Sequence, residues 1–287
     1  MTAQLINGNE IAKNKRQDMR QVVEELKNKD ILPGLAVLLV GENPASQSYV
    51  KGKIKDCKEV GIHSELKQYP TSISEEELLN EIEKCNQDDH IDGILVQLPL
   101  PDHISEQKVI ETISPEKDVD GFHPISLGKM LTGQDTFLPC TPFGIIDMVK
   151  RMNIEISGKH VVIVGRSNIV GKPAGQLFLN ENATVTYCHS KTQDLRYYTK
   201  QADILVAAVG KAQLIGAEDV KDGAVVIDVG MNRNEEGKLV GDVAFDEVKE
   251  KASYITPVPG GVGPMTRTML LHNTIKAARL RKEKGGK

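Results

Sequence analysis

Apolar positions along the chain follow two periods, and the switch between them outlines the fold. Over residues 9–29 the apolar residues Ile11, Val22, Val23 and Leu26 recur at helical spacing, and Pro33-Gly34 ends the segment. The unbroken apolar run 35–40, bounded by Gly41, predicts a strand buried on both faces. A polar loop, 42–46, leads into a lysine-rich helix that ends near Gly61, and a second strand is expected over 64–69. Ser74 with Glu77 three residues later reads as a capping box opening another helix. A third apolar run, 94–98, stops at Pro99. Strand and helix signals in alternation predict a parallel sheet covered by helices.

The pattern then restarts. Apolar runs at 160–164, 183–187, 204–208 and 224–229 are separated by helical or polar connections, with a helix expected to start near Val170. This second series reads as doubly wound. Residues 114–142, rich in Pro, Gly and Asp, are the expected domain boundary. A last helix is expected from Pro264 to about Leu280, followed by a frayed tail at 281–287. With 287 residues, two domains are the natural expectation.

Composition narrows the function classes. The net charge of −4 argues against nucleic acid as the main partner. No apolar stretch approaches the roughly 18 residues of a membrane span, and the N-terminus lacks a basic segment followed by an apolar run. Cys57, Cys85, Cys140 and Cys188 are scattered, without metal-ligand spacing. They are expected to be reduced thiols of a cytoplasmic protein, and no metal site is expected. His90 and His103, each beside Asp, read as solvated loop residues.

Candidate chemistry lies where the strands end. In the second series, Gly165-Arg166-Ser167-Asn168-Ile169-Val170-Gly171 joins a strand to a helix, where glycine lets the backbone approach a pyrophosphate and free N–H groups favour an anion. The spacing departs from GxGxxG, so a ligand-free tight turn is an equal reading of these residues alone. After the next strand, Cys188-His189-Ser190-Lys191-Thr192 offers hydroxyls and a cation where an NAD-preferring fold places an acid. An Arg166 fork with the Ser190 hydroxyl suits a 2′-phosphate, which favours NADP. Gly210 and the run Asp228-Val229-Gly230-Met231 follow the next two strands, either as turn chemistry or as ligand contacts.

In the first series, Tyr49 and Lys53 stand at i and i+4 and share a helix face. A solvated lysine stripe is one reading. A lysine held in a cleft beside Gln97, which follows a buried strand, is the other, and such a lysine transfers protons once burial lowers its pKa. Tyr49 could offer its ring to a flat ligand, and Asp120 could accept hydrogen bonds from an amino-substituted heterocycle. The alternative for Asp118-Val119-Asp120-Gly121 is an Asx turn. The Pro- and Gly-dense run 256–266 could line a ligand with N–H groups.

Taken in order, the motifs Tyr49-Val50-Lys51-Gly52-Lys53, Val96-Gln97-Leu98-Pro99-Leu100-Pro101, 117–122, 165–173, 188–192 and 259–266 resemble those of the bifunctional methylenetetrahydrofolate dehydrogenase/methenyltetrahydrofolate cyclohydrolase family. The resemblance covers essentially the whole chain. It implies two three-layer α/β domains with a cleft between them, the second a Rossmann-like NADP-binding domain. Residues 1–138 with the C-terminal helix 265–287 would form the folate-binding catalytic domain, and 139–264 the NADP-binding domain. The resemblance further implies oxidation of 5,10-methylenetetrahydrofolate with NADP and hydrolysis of the methenyl product to 10-formyltetrahydrofolate. Lys53 would be the proton-transfer lysine, Gln97 its partner, Tyr49 the ring packed on folate and Asp120 the pterin anchor. Val96, Leu98, Pro259, Gly260 and Gly261 would complete the substrate site. Gly165, Arg166, Ser167, Ser190, Gly210 and Met231 would hold NADP. Met231 stands where the family often has Ile. A homodimer is expected on the same ground. Another NADP oxidoreductase on a two-domain scaffold accounts for the second half but not for Tyr49, Gln97 and Asp120 together. A non-catalytic NADP sensor is the third reading.

Overall fold

The computed structural model describes residues 2–285, which fall into two compact units. One comprises the N-terminal segment through Lys13 with Thr141–Thr266, and the other Asn14–Cys140 with the chain from Arg267 onward. At the start of the chain these compact units differ from the expected domain boundaries. The N-terminal segment belongs with the later strands because β1 (Gln4–Leu5) pairs with a strand near residue 254. A strand of two residues has no period to read. The helix α1 (Gly8–Lys27) then leads into the unit that contains Asn14–Cys140.

That unit is built on β2 (Gly34–Val40), α2 (Pro44–Val60), β3 (His63–Tyr69), α3 (Glu75–Gln87) and β4 (Gly93–Val96). The strands form a parallel sheet in the order β3-β2-β4, with β2 central and buried throughout. Moving from β3 to β4 crosses β2, so right-handed connections place α2 and α3 on opposite faces. Packing agrees. Ala36, Leu38 and Val40 share a core with Leu78, Ile82 and Cys85 of α3, while Leu35, Val37 and Leu39 are buried on the other face. Asn43 caps α2 by accepting from the Ala45 and Ser46 N–H groups, and Gly61 ends it in the left-handed region at φ 90°. The Ser74–Glu77 capping box is present. Short helices α4 (Glu106–Thr112) and α5 (Pro124–Leu131) follow, the second inside the segment expected to be a boundary.

The other unit contains α6 (Cys140–Arg151), which crosses into it, then β5 (His160–Val164), α7 (Gly171–Asn180), β6 (Thr184–Cys188), α8 (Leu195–Thr199), β7 (Ile204–Ala207) and β8 (Val225–Asp228). A hairpin of β9 (Asn232–Arg233) and β10 (Leu239–Val240), the short α9 (Phe245–Val248) and β11 (Tyr254–Ile255) complete it. Its six-stranded sheet has the order β1-β11-β8-β7-β5-β6, with every pairing parallel. The chain steps outward from β5 to β6 and returns on the far side to β7. The switch point of a doubly wound sheet therefore lies between β5 and β7. Inward-facing Val162, Val164, Leu205, Ala207 and Val226 form one core. The final helix, α10 (Val262–Gly285), runs past Leu280, and the last two residues of the expected frayed tail lie outside the described residues.

Candidate active site

In the first unit, α2 carries four lysines toward its middle and end. Lys51, Lys55 and Lys58 are exposed, as a solvated stripe requires, but Lys53 is only 6% exposed. Its Nζ donates to Gln97 Oε1 at 3.0 Å and lies 5.5 Å from the Tyr49 ring centroid. Gln97 Nε2 in turn donates to the Leu98 carbonyl at 2.6 Å, so the amide is oriented with its oxygen toward the lysine. Gln97 itself is fixed by its N–H, which donates to the Leu38 carbonyl on β2. The middle of α2 and the end of β4 thus bring together Tyr49, Lys53 and Gln97, the last flanked in sequence by buried Val96 and half-buried Leu98.

The two aspartates of the 118–120 loop divide the work. Asp118 makes the turn: its carboxylate accepts from the Gly121, Phe122 and His123 N–H groups and the Ser126 hydroxyl. Burial pushes its carboxyl up to about 7. Asp120 instead faces Lys53 electrostatically and accepts a hydrogen bond from the Cys140 thiol. The loop lies against β4 because the Ile94 N–H donates to the Lys117 carbonyl and Val119 packs over Gly93. A Cβ at Gly93 would stand 2.6 Å from a Val119 methyl, so glycine is needed for this approach.

Electrostatics at Lys53 are set chiefly by burial, which lowers its pKa from the ordinary lysine value. Asp120, Cys140 and Cys57 oppose that shift, and the Arg267 guanidinium adds to it. Burial raises the Asp120 pKa against the pull of Lys53. Arg267 was not singled out from sequence. It pairs with buried Asp56 at 2.7 Å and lies across Gly52, where a Cβ would be 3.3 Å from its guanidinium stem. Cys140 and Asn273 were also missed. Asn273 donates to the Val119 and Leu138 carbonyls, tying together the segments that carry Asp120 and Cys140. None of the three has a local signal, though Arg267 directly follows the Pro- and Gly-dense run.

The second unit holds its candidate residues at the C-terminal ends of its parallel strands. Gly165 closes β5 at φ 134°, and a Cβ there would stand 2.3 Å from the Ala208 carbonyl oxygen. Only glycine lets the β5 and β7 ends approach at the switch point. Val164 is in register with Cys188, so Arg166 and Ser190 each lie two residues beyond paired positions on adjacent strands. Both are exposed. The Ser167 hydroxyl oxygen accepts from the Val170 and Gly171 N–H groups, a helix-starting role that the sequence reading did not give it. Gly210 and Met231, both exposed, follow β7 and β8. Pro259 is exposed, whereas Gly261 is buried with Pro257 and Thr256 in the space of a side chain. The Gly260 carbonyl accepts from the Asn9 N–H at the start of α1. Packing therefore accounts for these two glycines before any ligand is invoked.

A doubly wound parallel sheet, the architecture of dinucleotide-binding proteins, and a separate α/β unit with a buried lysine held by an amide define an α/β protein of the nucleotide-binding class. The comparisons specify which. The catalytic-domain model of tetrahydrofolate dehydrogenase/cyclohydrolase matches residues 6–120, and the NAD(P)-binding-domain model of the same proteins matches residues 139–282. The chain belongs to the tetrahydrofolate dehydrogenase/cyclohydrolase family. The bifunctional protein FolD of Bacillus anthracis is 66% identical over 279 residues, 97% of this chain and 98% of that protein. The bifunctional FolD enzyme of Campylobacter jejuni is 50% identical with a TM-score of 0.95, over 97% of this chain and 99% of that one. A Trypanosoma brucei dehydrogenase-cyclohydrolase, solved with NADP and an inhibitor, is 37% identical with a TM-score of 0.94, over 98% of each chain.

Proposed function

We propose that this chain oxidises 5,10-methylenetetrahydrofolate to the 5,10-methenyl compound with NADP and hydrolyses that product to 10-formyltetrahydrofolate. Family membership supplies the pair of reactions. The observation that carries the assignment of residues is the buried Lys53 ammonium donating to Gln97 beside Tyr49.

NADP, when bound, accepts the hydride and leaves no proton for the protein to move in that step. The site residues act on the hydrolysis. The methenyl carbon is electrophilic, and water adds to it as Lys53, in its neutral form, takes a proton at Nζ. The Lys53 ammonium returns that proton to N5 as the bond from the carbon to N5 breaks, and the remaining hydroxyl proton is released to solvent as the formyl C=O forms on N10. Burial makes neutral Lys53 accessible, Gln97 fixes the direction of Nζ, and the nearby Asp120 carboxylate stabilises the ammonium that forms. Asp120 anchors the pterin in this reading, Tyr49 packs on the folate, and Val96, Leu98 and 259–261 complete the substrate contacts. Gly165, Ser167, Gly210 and Met231 approach the dinucleotide, while Arg166 and Ser190 receive its 2′-phosphate. The domains keep the roles expected of them, folate catalysis in the first and NADP binding in the second.

A homodimer in the cytoplasm belongs to the same reading. Among the described residues no helix is long and apolar enough to cross a membrane, and the four cysteines are free thiols. Sedimentation of the purified protein tests the dimer.

The deciding experiment supplies methylenetetrahydrofolate with NADP or NAD and follows reduced cofactor and methenyl product by absorbance. Methenyltetrahydrofolate is then given alone and its decay compared with the uncatalysed rate. Both activities are expected. Cofactor binding with neither activity overturns the assignment in favour of a sensor or a different substrate.

A further inference from the structure

The cofactor unit contains two buried carboxylates in series, Asp228 and Asp242, 3% and 0% exposed. Asp242 accepts from the Val209 N–H at 2.6 Å, the Gly210 N–H at 3.0 Å and the Lys211 N–H at 2.9 Å. It also accepts from the Asn232 side-chain amide at 2.9 Å. One carboxylate therefore gathers the loop after β7 and the loop after β8. Its own N–H donates to Asp228 Oδ1, which also accepts from the Gly230 N–H, while Asp228 Oδ2 accepts from Val243. The glycines fit this arrangement. A Cβ at Gly241 would stand 1.7 Å from Asp228 Oδ2, and one at Gly230 2.4 Å from Asp242 Oδ1.

The bonds fix more than loop position. In a planar trans peptide the carbonyl points opposite to the N–H. Turning the N–H groups of residues 209–211 onto a buried anion turns the carbonyls of Ala208, Val209 and Gly210 the other way. The Ala208 oxygen accordingly faces Gly165 at the switch point between β5 and β7. With its donors consumed by Asp242, the half-exposed β7 loop offers acceptors to a ligand at the strand ends. A carboxamide NH2 is the complementary group, and nicotinamide carries one.

We infer that Asp242 is a positioning residue for the nicotinamide carboxamide, acting by turning the backbone carbonyls of the β7 loop toward the cofactor. The inference rests on the reading that the loops of Gly210 and Met231 bind NADP. The probes that test it are NADP and its 3-acetylpyridine analogue, which lacks the carboxamide N–H donors. Asp242→Asn replaces an acceptor-only group with one that also donates, and this disturbs the three main-chain bonds.

Affinity for NADP is expected to fall about tenfold, the scale of one lost hydrogen bond, while affinity for the analogue changes much less. Methenyl hydrolysis assayed without cofactor serves as the folding control and is expected to persist. Asn232→Ala removes a single donor to the same carboxylate and is expected to give a smaller selective loss. Should Asp242→Asn fail to fold, this second variant decides. Equal losses for both cofactors, or no loss for either, overturn the inference. A wild-type protein that does not bind NADP overturns the cofactor reading itself, before any variant is compared.

Discussion

Lys53 and Gln97 stand 44 residues apart in sequence, one on a helix and one just past a strand, and their side chains meet at 3.0 Å. The lysine is buried and has an amide oxygen as its hydrogen-bond acceptor. An ammonium so placed is easier to deprotonate than one in water. Lys53→Met removes the proton acceptor while keeping an unbranched apolar chain. Hydrolysis of methenyltetrahydrofolate is expected to fall by about 10²–10⁴-fold, the range of a lost general base. Hydride transfer to NADP needs no base and should survive in part. Single-turnover measurement of each step checks this, and equal loss of both would remove Lys53 from its assigned role.

The charges around Lys53 give a prediction with opposite signs. Hydrolysis needs the neutral amine, so its rate should rise as pH passes through the Lys53 pKa, which burial sets below the ordinary lysine value. Asp120, Cys140 and Cys57 favour the ammonium, whereas Arg267 disfavours it. Asp120→Asn should therefore move the rising limb to lower pH. Arg267→Met should move it to higher pH, because it removes a cation and leaves the Asp56 carboxylate without its 2.7 Å partner. pH–rate profiles of the two variants check the directions, and shifts of the same sign would refute this account of the electrostatics.

Arg166 and Ser190 each follow by two residues the last paired positions of the adjacent strands β5 and β6. If they receive a 2′-phosphate, Arg166→Ala should raise the KM for NADP by about tenfold or more, since a charge-assisted hydrogen bond contributes roughly 1.5–3 kcal/mol. The KM for NAD should change little. Comparable rises for both cofactors would mean that Arg166 does not read the phosphate.

Gly165→Ala tests the switch point. The added Cβ would lie 2.3 Å from the Ala208 oxygen on a backbone at φ 134°. Strain of about 1–3 kcal/mol is expected. It should appear as a lowered Tm together with weakened NADP binding, while hydrolysis of methenyltetrahydrofolate persists in the folded fraction. A variant with unchanged Tm and cofactor affinity would show that the turn relaxes without cost.

Much of this protein is determined locally and is legible in the chain. Unbroken apolar runs identify β2, β4, β5 and β7 because strands of a covered parallel sheet are buried on both faces. Ser74 and Glu77 form the predicted box because capping depends only on neighbours three residues apart. Tyr49 and Lys53 share a face by helical spacing, and the motif order points to the family. Other features depend on distant segments. The two-residue strands β1 and β11 have too few positions to show a period, so their pairing, and the unit to which the N-terminus belongs, emerge only on folding. Among the α2 lysines, sequence could not separate buried Lys53 from exposed Lys51 and Lys55, because burial is set by what packs over the helix. The same holds for the division between Asp118 and Asp120, and for Arg267, Asn273 and Asp242. Their roles are fixed by partners as many as 211 residues away, and no local pattern records such a contact.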